Sequence, residues 1–142
     1  MLSDIDSAAN LVELFLKRAD ARRGMPFLGE KRGGAWRTRS WGEVADQVCL
    51  LAESLRRLGL HDGDRVALVS ENRPEWCIAD LAIMAAGCVT VPAYVTNTER
   101  DHVHILDNSG ARAGLRGLRA KPRCADRARY PSRLGCAGSP HP

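Results

Sequence analysis

Arg65-Val66-Ala67-Leu68-Val69-Ser70, then Pro74-Glu75-Trp76 and an apolar run to Gly87, then Val89-Thr90-Val91-Pro92, is the stretch that decides the fold. Val66 to Val69 is apolar at every position. A strand with two apolar faces belongs in a parallel sheet covered on both sides. Pro74 suits the first turn of a helix, where no amide hydrogen is needed, and Glu75 suits the positive helix end. The interior from Ile78 to Ala86 is apolar nearly all round, which predicts a buried helix. Val89-Thr90-Val91 reads as a second strand, ended by Pro92. Strand, helix and strand at this spacing form a βαβ unit. The expected class is α/β, with an incomplete parallel βαβ sheet covered by helices.

Toward the amino terminus, residues 7–22 read as an amphipathic helix. Leu11, Leu14, Phe15 and Ala19 share one face, and Gly24 stops it. Pro26-Phe27-Leu28 and Ala35-Trp36-Arg37-Thr38 flank Gly33-Gly34, which predicts a small hairpin. The clearest helix spans 41–58. Ser40 caps it, and Glu43 can return a bond to the Ser40 amide. Trp41, Val44, Val48, Leu51, Leu55 and Leu58 recur by threes and fours on one side, Arg56 and Arg57 suit the negative end, and Gly59 supplies a left-handed exit. Asp62-Gly63 then turns into the core strand.

Toward the carboxyl terminus, Thr98 with Asp101 predicts a cap for a last helix carrying Val103 and Leu106, closed by Ser109-Gly110. The pattern then demands a third apolar strand. Ala111-Arg112-Ala113 starts one, and Gly114-Leu115-Arg116-Gly117 abandons it. Composition changes at the same place. Residues 1–113 carry 14 Lys+Arg and 16 Asp+Glu, whereas 114–142 carry 7 Lys+Arg and 1 Asp. In that tail Arg, Pro, Gly and Ala fill 18 of 29 positions, and Ile, Val, Phe and Met are missing. The expected organisation is a domain over 1–113 and a disordered basic tail over 114–142.

Several function classes are excluded. The acidic start Met1-Leu2-Ser3-Asp4-Ile5-Asp6 lacks the basic flank of a secretory signal, so none is expected, and the uncharged stretch Leu81–Thr98, broken by Gly87, Pro92 and Asn97, is not expected to span a membrane. Cys49, Cys77, Cys88, Cys124 and Cys136 form no tight pair. The first three sit in apolar runs, where a thiol acts as a small hydrophobe, and a reduced, cytoplasmic setting fits. No Walker-type run is present, and Gly114 with Gly117 make no dinucleotide fingerprint. His102 and His104 are two apart and point to different sides of a helix. Cys124, Cys136 and His141 lack the close ligand pairs of structural zinc. No metal site is expected. Arg116, Arg119, Lys121, Arg123, Arg127, Arg129 and Arg133 could meet anions, but Tyr130 is the tail's lone aromatic, so no specific nucleic acid is expected.

Several runs nevertheless resemble one family. They are Trp36-Arg37-Thr38-Arg39-Ser40-Trp41-Gly42-Glu43-Val44; Leu58-Gly59-Leu60-His61-Asp62-Gly63-Asp64-Arg65-Val66-Ala67; Ser70-Glu71-Asn72-Arg73-Pro74-Glu75-Trp76; Cys88-Val89-Thr90-Val91-Pro92-Ala93-Tyr94; Thr96-Asn97-Thr98; and His104-Ile105-Leu106-Asp107-Asn108-Ser109-Gly110-Ala111. From Leu11 to Ala113 the chain resembles the amino-terminal stretch of adenylate-forming enzymes, specifically bacterial long-chain fatty acid–CoA ligases. Val95 departs from the pattern, since many relatives place proline there.

The resemblance implies ATP-dependent activation of a fatty acid through an acyl-adenylate to acyl-CoA. It implies ATP, Mg²⁺ and coenzyme A as the full-length family's cofactors, and peripheral membrane association in that family. It carries no catalytic, cofactor-binding or metal residue onto this chain. The family's phosphate loop, ribose acid and late lysine fall after the matched stretch, and no "TSGTTG-x-PK"-like run is present. Tyr94 and Thr96 are the only candidates for a ligand contact. The expected function is an amino-terminal portion of such a ligase, inactive alone and prone to self-association. A frameshift in a GC-rich gene would give such a tail. The alternative is a non-catalytic α/β module whose basic tail binds nucleic acid or other anions.

Overall fold

The computed structural model describes residues 8–117. The expectations for residues 118–142, including those for Cys124, Cys136 and His141, lie outside the described residues.

Helix α1, Leu11–Ala21, is capped by Asn10, whose side chain accepts from the Glu13 amide at 2.9 Å. It buries Phe15 and Ala19, while Leu11, at the open first turn, is exposed. The helix therefore starts later than position 7, at a side-chain cap. Strands β1, Pro26–Arg32, and β2, Ala35–Ser40, form an antiparallel hairpin. Gly33 and Gly34 make its turn with φ of 59° and 82°, a region costly for other residues. Phe27 stacks on Trp41 with centroids 3.7 Å apart, and Phe15 lies 5.8 and 5.9 Å from these two rings. That aromatic cluster fixes the hairpin's base to the helices.

Helix α2, Trp41–Arg57, has the expected capping box, with Glu43 Oε2 accepting from the Ser40 amide at 2.7 Å. Val44, Ala45, Val48, Ala52 and Leu55 are buried. Leu58 is 60% exposed and belongs to the exit turn, not to the packed face. The periodic stripe runs one residue past the helix that gives it meaning.

Strand β3, Arg65–Val69, helix α3, Pro74–Ala85, and strand β4, Val89–Ala93, make the βαβ unit. β4 runs through Pro92, where a stop was expected. It is an edge strand, so a missing amide hydrogen breaks no second ladder. Helix α4, Glu99–Ser109, has the Thr98–Asp101 capping box and ends on left-handed Gly110. Strand β5, Ala113–Arg116, then pairs in parallel with β3, opposite Val66 to Val69. The expectation that Gly114-Leu115-Arg116 abandons the strand is thus corrected. The ladder is made by backbone groups, and Arg112 and Gly117 amides extend it to Arg65 and Val69 carbonyls at 2.9 Å. A glycine opposite small Ala67 weakens the local signal without breaking the pairing.

The sheet order β4-β3-β5 puts β3 in the centre. Val66 and Leu68 face the main core, with Phe15, Val44, Val48, Leu55, Ile78 and Ile83. By strand alternation, Arg65, Ala67 and Val69 face the other side, with their partners Val89, Val91 and Ala93. The β3-to-β4 and β4-to-β5 crossovers run in opposite directions across the sheet, so right-handed connection sets their helices on opposite faces. α1, α2 and α3 cover the core face, and α4 covers the back. Cover on the back is thinner than expected of fully apolar strands, since Val89 is 50% exposed.

Two arginines tie the lower edge together. Arg65 Nε donates to Ser109 O at 3.0 Å and its Nη2 to Gly110 O at 3.4 Å. Arg112 Nη1 meets both oxygens of Asp64 at 3.1 and 2.9 Å. Asp64 is only 13% exposed and also accepts from the His61 amide at 2.8 Å. That amide bond above all, with Arg112 assisting, holds its carboxyl below the usual range against the opposing effect of desolvation.

Candidate functional site

In open parallel sheets ligands bind outside the carboxyl ends of the strands, where the strand order reverses. Here that end carries Ser70 after β3, Tyr94 after β4 and Gly117 after β5. Gly117 lies so close against Ser70 that a Cβ there would run into the serine side chain. Tyr94, 78% exposed, and Thr96, also exposed, lie in the loop between β4 and α4. The structure puts both at the ligand-binding end but packs neither against a partner group.

Beside this end lies a cleft of about 570 Å³ between the hairpin and the start of α3. Leu28, Gly29, Lys31 and Trp36 line one wall, and Asn72, Arg73, Pro74, Trp76 and Cys77 the other. An ion network next to Arg73 joins the hairpin to the start of α3. Glu75 pairs with Arg39 of β2 and accepts from Arg73 Nε at 3.1 Å, while Arg39 Nη1 reaches Gln47 Oε1 at 2.9 Å. Burial pushes the Glu75 carboxyl up, but its own backbone amide and the two guanidiniums outweigh that and hold it low. Glu75 is therefore a fixed anion that positions the helix start, not a proton donor.

The cleft shows no nucleophile–base pair. Burial first, then Asp80, pushes the Cys77 thiol up, which keeps it protonated and unreactive. Cys88 is buried and pushed up in the same way, chiefly by desolvation. Cys49 is exposed on α2, so its place in an apolar run does not make it a core residue. His102 and His104 lie on α4, remote in sequence from any second ligand pair. Among the described residues no group of three His, Cys, Asp or Glu side chains could hold a metal ion. Arg116 is the one tail cation among the described residues, at the end of β5.

Sequence reasoning missed Arg39, Arg73 and Glu75 as a set. Arg73-Pro74-Glu75 was legible as a helix start, but nothing local announces that Arg39 completes it.

A family model described as AMP-binding enzyme matches residues 15–135. This chain belongs to the AMP-binding enzyme family. Long-chain-fatty-acid–CoA ligase FadD15 of Mycobacterium tuberculosis is 41% identical over 78 residues, which are 55% of this chain and 13% of that protein. The solved amino-terminal subdomain of Klebsiella oxytoca NpsA superposes with a TM-score of 0.69 at 28% identity, covering 78% of this chain and 28% of that one. The crystal structure of IdnL1 gives a TM-score of 0.73 at 25% identity, over 82% and 24%. The chain thus spans a small part of the length of each relative. The match fits the doubly wound β4-β3-β5 arrangement, and no helix among the described residues is long and apolar enough to cross a membrane.

Proposed function

We propose that this chain supplies the amino-terminal scaffold of a long-chain fatty acid–CoA ligase acting in the cytoplasm, and that it is inactive alone. The observation that carries the reading is the 41% identity to FadD15 over 78 residues. In the complete reaction a fatty acid carboxylate would attack the α-phosphorus of ATP, giving acyl-adenylate and releasing pyrophosphate, and the coenzyme A thiol would then displace AMP to give acyl-CoA. The residues present do not fit Mg–ATP. The sequence has no glycine-rich phosphate loop, and no metal-holding group exists among the described residues. No step of that chemistry is therefore assigned to them. What these residues do is structural: Arg39, Arg73 and Glu75 fix the start of α3, and Asp64 with Arg112 fixes β5 beside β3.

A chimera tests the reading. Residues 8–117 replace the matching segment of FadD15, and long-chain acyl-CoA formation is measured. Activity supports a ligase scaffold, whereas a folded chimera that makes no acyl-CoA refutes it. The full chain alone should give no fatty-acid-dependent ATP–pyrophosphate exchange, because the sequence has no glycine-rich phosphate loop and the described residues have no metal-holding group. Salt-dependent binding of nucleic acid, lost on deleting 118–142, would favour the binding-module reading instead.

A further inference from the structure

We propose that α4 is a latched cover over the back face of the sheet, opening as a unit while α1, α2 and α3 stay packed, with Arg65 as its latch. The main core and the residues packed against it draw on α1, α2, α3, β1, β3 and β5, but on no residue of α4. α4 buries none of its residues fully, and Val103 on it is 49% exposed. Ala67 and Ala93 are buried yet stand outside that core cluster. By register they share the back face with Val69 and Val91. Small side chains there leave α4 little to interlock with.

The helix is held instead at its end. It has no basic residue in its last turn, so its final carbonyls and the negative end of its dipole need an outside cation. Arg65, reaching from the back face of β3, supplies one guanidinium to two of those carbonyls. The fit is close, since a Cβ on Gly110 would sit 3.0 Å from Arg65 Nη2. The exposed loop 94–96 before Thr98 and left-handed Gly110 after Ser109 are the hinges. Low-burial elements held by exposed polar contacts open below the global unfolding free energy. Opening bares an apolar patch made of Ala67, Val69, Val91 and Ala93.

The proposal is independent of the ligase reading. Amide hydrogen exchange on the full chain tests it, comparing residues 99–109 with 41–57 and 74–85. We expect the α4 amides to exchange at least about 100-fold faster than the slowest in α2. Arg65→Met, which keeps the stem and removes both donors, should speed α4 exchange about tenfold and leave α2 and α3 unchanged. It should also raise binding of a hydrophobic dye. Arg65→Lys, which keeps the charge without the fork, serves if the first variant does not fold, and should speed α4 selectively by a smaller factor. Exchange of α4 at the rate of α2, or equal acceleration of all three helices, would overturn the proposal.

Discussion

Leu55 and Leu58 are three residues apart in the same apolar stripe, yet the structure gives them opposite values. Leu55 is 2% exposed in the main core, while Leu58 is 60% exposed in the turn after α2. Truncating Leu55 to alanine removes roughly three methylene equivalents, or about 2.4 kcal/mol of transfer free energy at about 0.8 kcal/mol each. The residual cavity adds to this, for a total of about 3–4 kcal/mol. Small domains have about 5–15 kcal/mol in all, so Leu55→Ala should lose a large share of the stability. Leu58→Ala should fall within about 0.5 kcal/mol of the parent. Urea unfolding followed by helical circular dichroism measures both. Equal costs for the two variants would refute the assignment of Leu58 to the exit turn. A cost below about 1 kcal/mol for Leu55→Ala would show that α2 does not pack as described.

Ser40→Ala removes the α2 cap and should cost about 1 kcal/mol in the same urea assay, with the helix otherwise intact. Gly110→Ala forces a side chain into a left-handed turn with φ of 62° and against Arg65. It should cost about 1–3 kcal/mol, read as a lowered urea midpoint. Asp64, Glu43 and Asp101 all have carboxyls held below their ordinary values, chiefly by hydrogen bonds from His61, Ser40 and Thr98 respectively. They bind a proton less readily folded than unfolded, so the stability they add is present above the ordinary values of 3.8 for Asp and 4.5 for Glu and is lost as pH falls through the folded values. Thermal midpoints measured from pH 7 to pH 2 should fall in that acid window, and Asp64→Asn should flatten part of the drop.

What the sequence made legible was local. The α2 boundary rests on Ser40, Glu43 and Gly59, all within reach of one helix, and the structure repeats it almost to the residue. The βαβ unit was legible because Val66–Val69 has two apolar faces and therefore only one environment that suits it. Features that depend on residues distant in sequence were not legible. β5 exists because β3 offers an open ladder 47 residues earlier, as in Val66↔Ala113, and backbone pairing leaves little trace in side-chain composition. The Arg65 and Arg112 ties span 44 and 48 residues. Either arginine alone reads as an ordinary surface cation. The same reasoning applies to the cleft. Trp76 and Arg73 come from the start of α3 and the residue before it, while Trp36 enters through the hairpin. Packing, not spacing, brings them to one place. A chain can thus show its fold class in four consecutive apolar residues and still keep its polar ties hidden, because hydrophobic periodicity records burial and a half-exposed ion pair needs no period.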